Sequence, residues 1–218
     1  MINENILERK ITDEFGDSYE IIYEIVGQYS NILQDNYANQ KIITNDKGIF
    51  VSLGSRTDYI KEKVDQKYYD EAEKFKAQNS KLFEEANNHT FMFKDFSQKI
   101  HAIKTHVFFN YRMEKNSNEL NDLFIKLLKS IAIPARKTFG YLRKDYSFNS
   151  YQWAEVAIND QWYSADSSLC IWSGGSPNHL KIKNENDFGN ETFKFRVSKI
   201  ISHASDFNIE FVKDFPSY

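Results

Sequence analysis

The sequence predicts an α+β protein in which helices come first and an antiparallel sheet comes after them. Three observations lead there. Before Arg136 the apolar residues recur mostly at three- and four-residue spacing, the repeat of a helix with one buried face. After Arg136 the texture changes to short alternating runs, at Thr138 to Leu142, Tyr151 to Ile158, Trp162 to Ala165, Phe193 to Ile201 and Ile209 to Val212. Helices and then strands is the order expected when helices pack on one face of an antiparallel sheet. The composition, 41% hydrophobic, 27% charged and 16% aromatic over 218 residues, suits a globular chain able to bury a sizeable core.

Taken in order, Ile22, Ile25, Val26, Tyr29, Ile32 and Leu33 predict a helix from Asp17 to about Leu33. A hairpin comes next, with Ile42-Ile43 and Ile49-Phe50-Val51 flanking the turn residues Asn45-Asp46-Lys47-Gly48. Asp58 to about Asn87 is rich in Lys, Glu and Ala with a narrow apolar stripe through Ile60, Val64, Tyr68, Ala72, Phe75, Leu82 and Phe83, which predicts one long helix with a solvated charged face. The polar stretch Asn87-Asn88-His89-Thr90 sets an expected boundary between a helical extension with a small hairpin, residues 1–89, and a core domain, residues 90–218. Helical spacing resumes from Phe96 to Met113.

Composition narrows the function classes. A net charge of −3 and a pI near 6.0, with no clustered basic excess, argue against nucleic acid or an anionic membrane as partner. One cysteine, Cys170, excludes an internal disulfide and disfavours a thiolate-held zinc. His89, His101, His106 and His203 make no ligand pattern, so neither a metal nor another cofactor is expected. No apolar run marks a leader and none approaches the ~20 residues that cross a bilayer, so a cytoplasmic protein is expected.

The most legible segment is NSNELNDLFIKLLKSIAIPAR, residues 116–136. Leu120, Leu123, Phe124, Leu127, Leu128 and Ile131 define one buried stripe, and Asn116 with Glu119 resembles a capping box. Ser117 is then the first helical residue, lying three before Leu120 and pointing to the core side. A nucleophile there would profit from the helix's positive end. In the hairpin from Tyr151 to Asp166, Tyr151, Trp153, Glu155 and Ala157 share one face, and Asn159-Asp160-Gln161 makes the turn. Folding back sets Asp166 opposite residues 153–154, within diagonal reach of Tyr151.

The helix with its IPAR corner, then YQWAEVAINDQWYSADSS, then NHLKI, resembles the transglutaminase-like superfamily, with its papain-like fold, over roughly Phe96 to Phe188. That family runs Gly-x-Cys-x-x-x-Ala-x-Leu-Phe into Gly-Ile-Pro-Ala-Arg, then His-x-Trp-x-Glu-Val, then a Trp with Asp-Pro close behind it. The resemblance sets the family's catalytic cysteine at Ser117, its histidine at Tyr151 and its aspartate at Asp166, with Asn121 where an alanine is usual. A serine hydroxyl is a weaker nucleophile that depends on an adjacent base, and a phenol with a pKa of ~10 does not serve as one at neutral pH.

The resemblance therefore implies a catalytically inactive homologue whose inherited groove binds a protein or peptide, with Ser117, Tyr151 and Asp166 joined in an inert hydrogen-bonded cluster. Trp153 and Trp162 are core residues or walls of that groove, and Arg136 either grips a carboxylate or ties the corner to a neighbouring loop. The alternative is a hydrolase or acyltransferase using Ser117, or a site relocated to Cys170 and His179. A third reading has the charged helix at 58–87 mediating assembly; the oligomeric state is left open.

Overall fold

A computed structural model describes residues 19–26, 40–45, 48–54, 60–144, 147–169, 171–172, 179–182 and 194–202. In chain order its elements are β1 (Tyr19–Val26), β2 (Gln40–Asn45), β3 (Gly48–Gly54), β4 (Ile60–Lys63), α1 (Gln66–Gln78), α2 (Ser80–Thr90), α3 (Phe96–Tyr111), α4 (Ser117–Ser130), β5 (Ala135–Lys144), β6 (Ser147–Ile158), β7 (Gln161–Asp166), β8 (Ile171–Trp172), β9 (His179–Lys181) and β10 (Lys194–Ser202). The chain divides into two compact units. One comprises residues 1–57, 139–150 and 175–218; the other comprises residues 58–138 and 151–174.

The first unit holds a four-stranded sheet of order β10-β1-β3-β2. Its β2–β3 hairpin closes with Asn45 opposite Gly48, as the turn residues predict. The helix expected from Asp17 is corrected, since Tyr19–Val26 is a strand paired antiparallel to both β10 and β3. Its sequence, YEIIYEIV, is dense in β-branched and aromatic residues, which suit a pleated surface better than a helix. In the same unit β9 pairs with the end of β5, Gly140 to Leu142. The buried Gln40 amide completes that edge, donating to the Lys181 carbonyl at 3.2 Å and accepting from the Lys181 N–H at 2.8 Å.

The second unit carries the helices. The single helix expected over 58–87 is corrected to a short strand, β4, and two helices. Asn79 ends α1 with φ −127° and ψ 60°, its side-chain amide donating to the Phe75 carbonyl at 2.7 Å. The expected boundary at Asn87–Thr90 falls inside α2. In this unit β4, β7, β6 and the start of β5 are neighbours in that order, and β8 pairs with β7. The α+β reading holds: one core joins Ile100, Ile103 and Val107 of α3 and Phe124, Leu127 and Leu128 of α4 to Ala154, Val156 and Ala165 of the sheet. Each large apolar side chain so buried contributes about 1.5–3 kcal/mol.

Two tight connections set the geometry around the hairpin and the corner. Asn159 and Asp160 adopt φ of 51° and 61°, the two positive values of a type I′ turn, and set Ile158 opposite Gln161 and Ala154 opposite Ala165. After α4 the chain turns through Ala132 at φ 61°, the Ile133 N–H bonding to the Leu128 carbonyl and that of Ala132 to Lys129. These are the paired bonds of a Schellman ending.

Candidate functional site

The first turn of α4 starts as its sequence dictates. The Asn116 side chain accepts from the N–H groups of Asn118 and Glu119, at 3.0 and 3.1 Å, and the Glu119 carboxylate accepts from the Asn116 N–H at 2.9 Å. Ser117 is the first helical residue, but the expectation that it faces the core is corrected: its side chain is exposed. Helical side chains lean toward the N-terminus, so one in the first turn projects past the helix end. Among the described residues its hydroxyl has no hydrogen-bond partner.

The residue of α4 that does reach the hairpin is Asn121, one turn further on and 1% exposed. Its amide donates to the Gln152 carbonyl at 3.1 Å and to Asp166 Oδ1 at 3.2 Å, while its oxygen accepts from the Ser167 N–H at 2.9 Å and the Ser167 hydroxyl at 3.0 Å. The expected cluster therefore exists with Asn121, Ser167 and Ser168 as members in place of Ser117. A signal for Asn121 lay in the sequence, since an amide four residues after Ser117 shares its helix face.

Tyr151 and Asp166 meet as the hairpin register predicts. The Tyr151 hydroxyl donates to Asp166 Oδ2 at 2.7 Å and also bonds Ser168 Oγ. Asp166, 1% exposed, further accepts on Oδ1 from the Ser168 N–H and hydroxyl, both at 2.9 Å, and from the Leu169 N–H at 3.3 Å. Three donors from a tight turn hold a carboxylate in place without any imidazole. Burial, and next the Asp166 charge, push the Tyr151 phenol well above its ordinary pKa. The hydroxyl is thus held protonated as a donor.

The residues expected to bind a ligand are engaged elsewhere in this unit. Trp153 and Trp162 are both fully buried, the core alternative of the two expected for them rather than walls of a groove. Arg136 Nε donates to Glu155 Oε2 at 2.6 Å, with Glu155 itself 0% exposed. The guanidinium lies 4.3 Å from the Trp162 ring centroid and 5.6 Å from that of Tyr68. Arg136 therefore ties the corner to β6 and to the aromatic pair Tyr68–Trp162. His179 is buried in β9, whereas Cys170, His203 and the run Ile209 to Val212 lie outside the described residues.

Among the described residues no group of three or more His, Cys, Asp or Glu side chains could hold a metal ion, and no helix is long and apolar enough to cross a membrane. An exposed helix start, an aspartate closing a hairpin and the corner between them define a protein of the transglutaminase-like kind. The family model of the transglutaminase-like superfamily matches residues 58–167, half of the chain, and the chain belongs to that superfamily. The match begins well before Phe96, taking in β4, α1 and α2. A similar solved structure is described as "a Putative Cysteine Protease from Cytophaga hutchinsonii", 13% identical, with 92% of this chain and 93% of that chain covered at a TM-score of 0.46. No curated protein matches the sequence.

Proposed function

We propose that this protein is a catalytically inactive member of its superfamily that binds a protein or peptide on the face where relatives carry out acyl chemistry. The observation that carries the reading is that the hydroxyl of Tyr151, the residue that the sequence resemblance sets at the family's base, donates to the buried Asp166. A phenol held protonated accepts no proton from a nucleophile, and the exposed Ser117 hydroxyl has no hydrogen-bond partner among the described residues. What persists is a rigid platform. Asn121, Asp166, Ser167 and Ser168 lock α4 to the end of β7, and Leu169, 44% exposed, stands at its rim beside Ser168. The exposed Leu169 side chain offers an apolar contact to an extended peptide.

The test has two arms. Ammonia release from a glutamine-containing peptide, with and without a primary amine, should stay at the level of a Ser117→Ala variant; turnover that disappears in that variant would overturn the reading. Peptides selected from a random displayed library should lose binding at least ~10-fold on Leu169→Asp, a change at an exposed hot-spot candidate. Selected peptides indifferent to Leu169→Asp and Ser117→Trp would place recognition elsewhere.

A further inference from the structure

Away from that platform, exposed apolar side chains gather around α2 and α3 of the second unit. Of the six large apolar side chains exposed among the described residues, Phe91, Met92, Phe96, Phe109 and Met113 lie at the end of α2 and along α3. Between α2 and α3 runs a groove of about 820 Å³ whose lining includes His89, Met92, Phe93, His101 and Phe109, and no Asp, Glu, Lys or Arg. Contiguous apolar surface of this kind marks an interface more often than it marks idle surface.

The sequence of α3 specifies what could cover it. The core takes Ile100, Ile103 and Val107. On the opposite side Asp95, Gln98, Ala102, Thr105, Phe109 and Arg112 succeed one another at alternating spacings of three and four, the repeat of a helix–helix seam. This seam reads against itself when reversed. An antiparallel copy centred between Ala102 and Thr105 sets Asp95 opposite Arg112, Gln98 opposite Phe109, and Ala102 opposite Thr105. The small residues fall at the crossing, where two helices approach to about 8–10 Å. Opposite charges fall at both ends, and the exposed Phe109 and Met113 of each copy meet the Met92, Phe93 and Ser97 end of the other's groove. Just outside the seam the same register brings Lys94 within one position of Glu114. Such reciprocity is what a two-fold, isologous contact requires.

We infer that the α2–α3 face is a self-association surface, on which a second copy of this chain packs α3 antiparallel to α3. Analytical ultracentrifugation of the full chain up to about 100 μM should show a species of twice 25.7 kDa. Phe109→Glu and Met113→Glu, both at exposed positions, should each weaken the dimer at least ~10-fold while leaving the far-ultraviolet dichroism unchanged. In a Cys170→Ser background, Ala102→Cys should form an intermolecular disulfide because the residue sits beside the two-fold axis, whereas Lys126→Cys on α4 should not. A single chain at every concentration would overturn the inference. So would a dimer that survives both glutamate variants, or one that Ala102→Cys fails to cross-link, since each would put the contact on another face.

Discussion

Replacing Tyr151 by phenylalanine separates the inert-cluster reading from one in which the phenol is merely packed. The ring is buried to 9% exposure and stacks at 6.4 Å on Trp153, so phenylalanine keeps the packing and leaves no cavity. What goes is a donor at 2.7 Å to a carboxylate that is 1% exposed. A hydrogen bond to a charged group contributes about 1.5–3 kcal/mol, so Tyr151→Phe should destabilise by about 2 kcal/mol. In a chain of this length that is a fall of about 4–8 °C in the melting midpoint. The same substitution should change the alkaline limb. The Tyr151 pKa is raised on folding, so above pH ~10 the unfolded phenol gives up its proton while the folded one keeps it. Stability is therefore lost as pH rises past that point, and the loss should be shallower in the variant. It should not vanish, because Tyr69 and Tyr111 are also pushed up, to about 12, Tyr69 by burial first and Tyr111 by its bond to Glu85 first. Urea unfolding at pH 8 and pH 10.5 measures both effects. A cost below about 0.5 kcal/mol at pH 8 would refute the reasoning, since it would mean that the hydroxyl does not satisfy Asp166.

Other perturbations act within the same unit. Arg136→Ala removes one member of a buried pair with Glu155 and should cost about 3–5 kcal/mol in chemical denaturation, with Arg136→Lys rescuing only part because the planar stack on Trp162 is lost. Ala132→Gly should stabilise by about 1 kcal/mol, because alanine at φ 61° carries a left-handed strain that glycine does not. Burial, and for His89 next the neighbouring His106, holds the pKa values of His89 and His101 below the usual 6.5. The unfolded chain then binds protons first as pH falls, so the melting midpoint should drop below pH ~6.5, and a His89→Gln, His101→Gln double variant should flatten that limb.

Local signals were legible where a short segment decides its own structure. The capping box at Asn116 and Glu119, the apolar stripe of α4 and the Asn159-Asp160 turn each arise from a few adjacent residues, and the Tyr151–Asp166 contact comes from the turn's register. The superfamily was legible for the same reason. What failed depended on distant partners. Residues 19–26 become a strand because β10, some 170 residues further on, pairs with them, and Ile22, Ile25 and Val26 mimic a helical stripe when read alone. Helix-forming residues on both sides of Asn79 masked the break between α1 and α2, although Asn79-Ser80 is a polar stop-and-start pair. Ser117 was misplaced by one turn of reach, because the stripe says which face is buried but not where the neighbouring sheet ends.

The way the chain is shared between its units has a consequence for synthesis. The second unit is built from residues 58–138 and 151–174, so all of it has been synthesised before β9 and β10 are made. Helices, corner and hairpin can close while β1 has only the β2–β3 hairpin for company. The four-stranded sheet has to wait for its last strand, a pairing of the longest sequence separation among the described strands and thus the slowest kind to form. A chain truncated after residue 174 and free of the ribosome should already hold Tyr151 against Asp166 while leaving one edge of β1 open to whatever strand reaches it first.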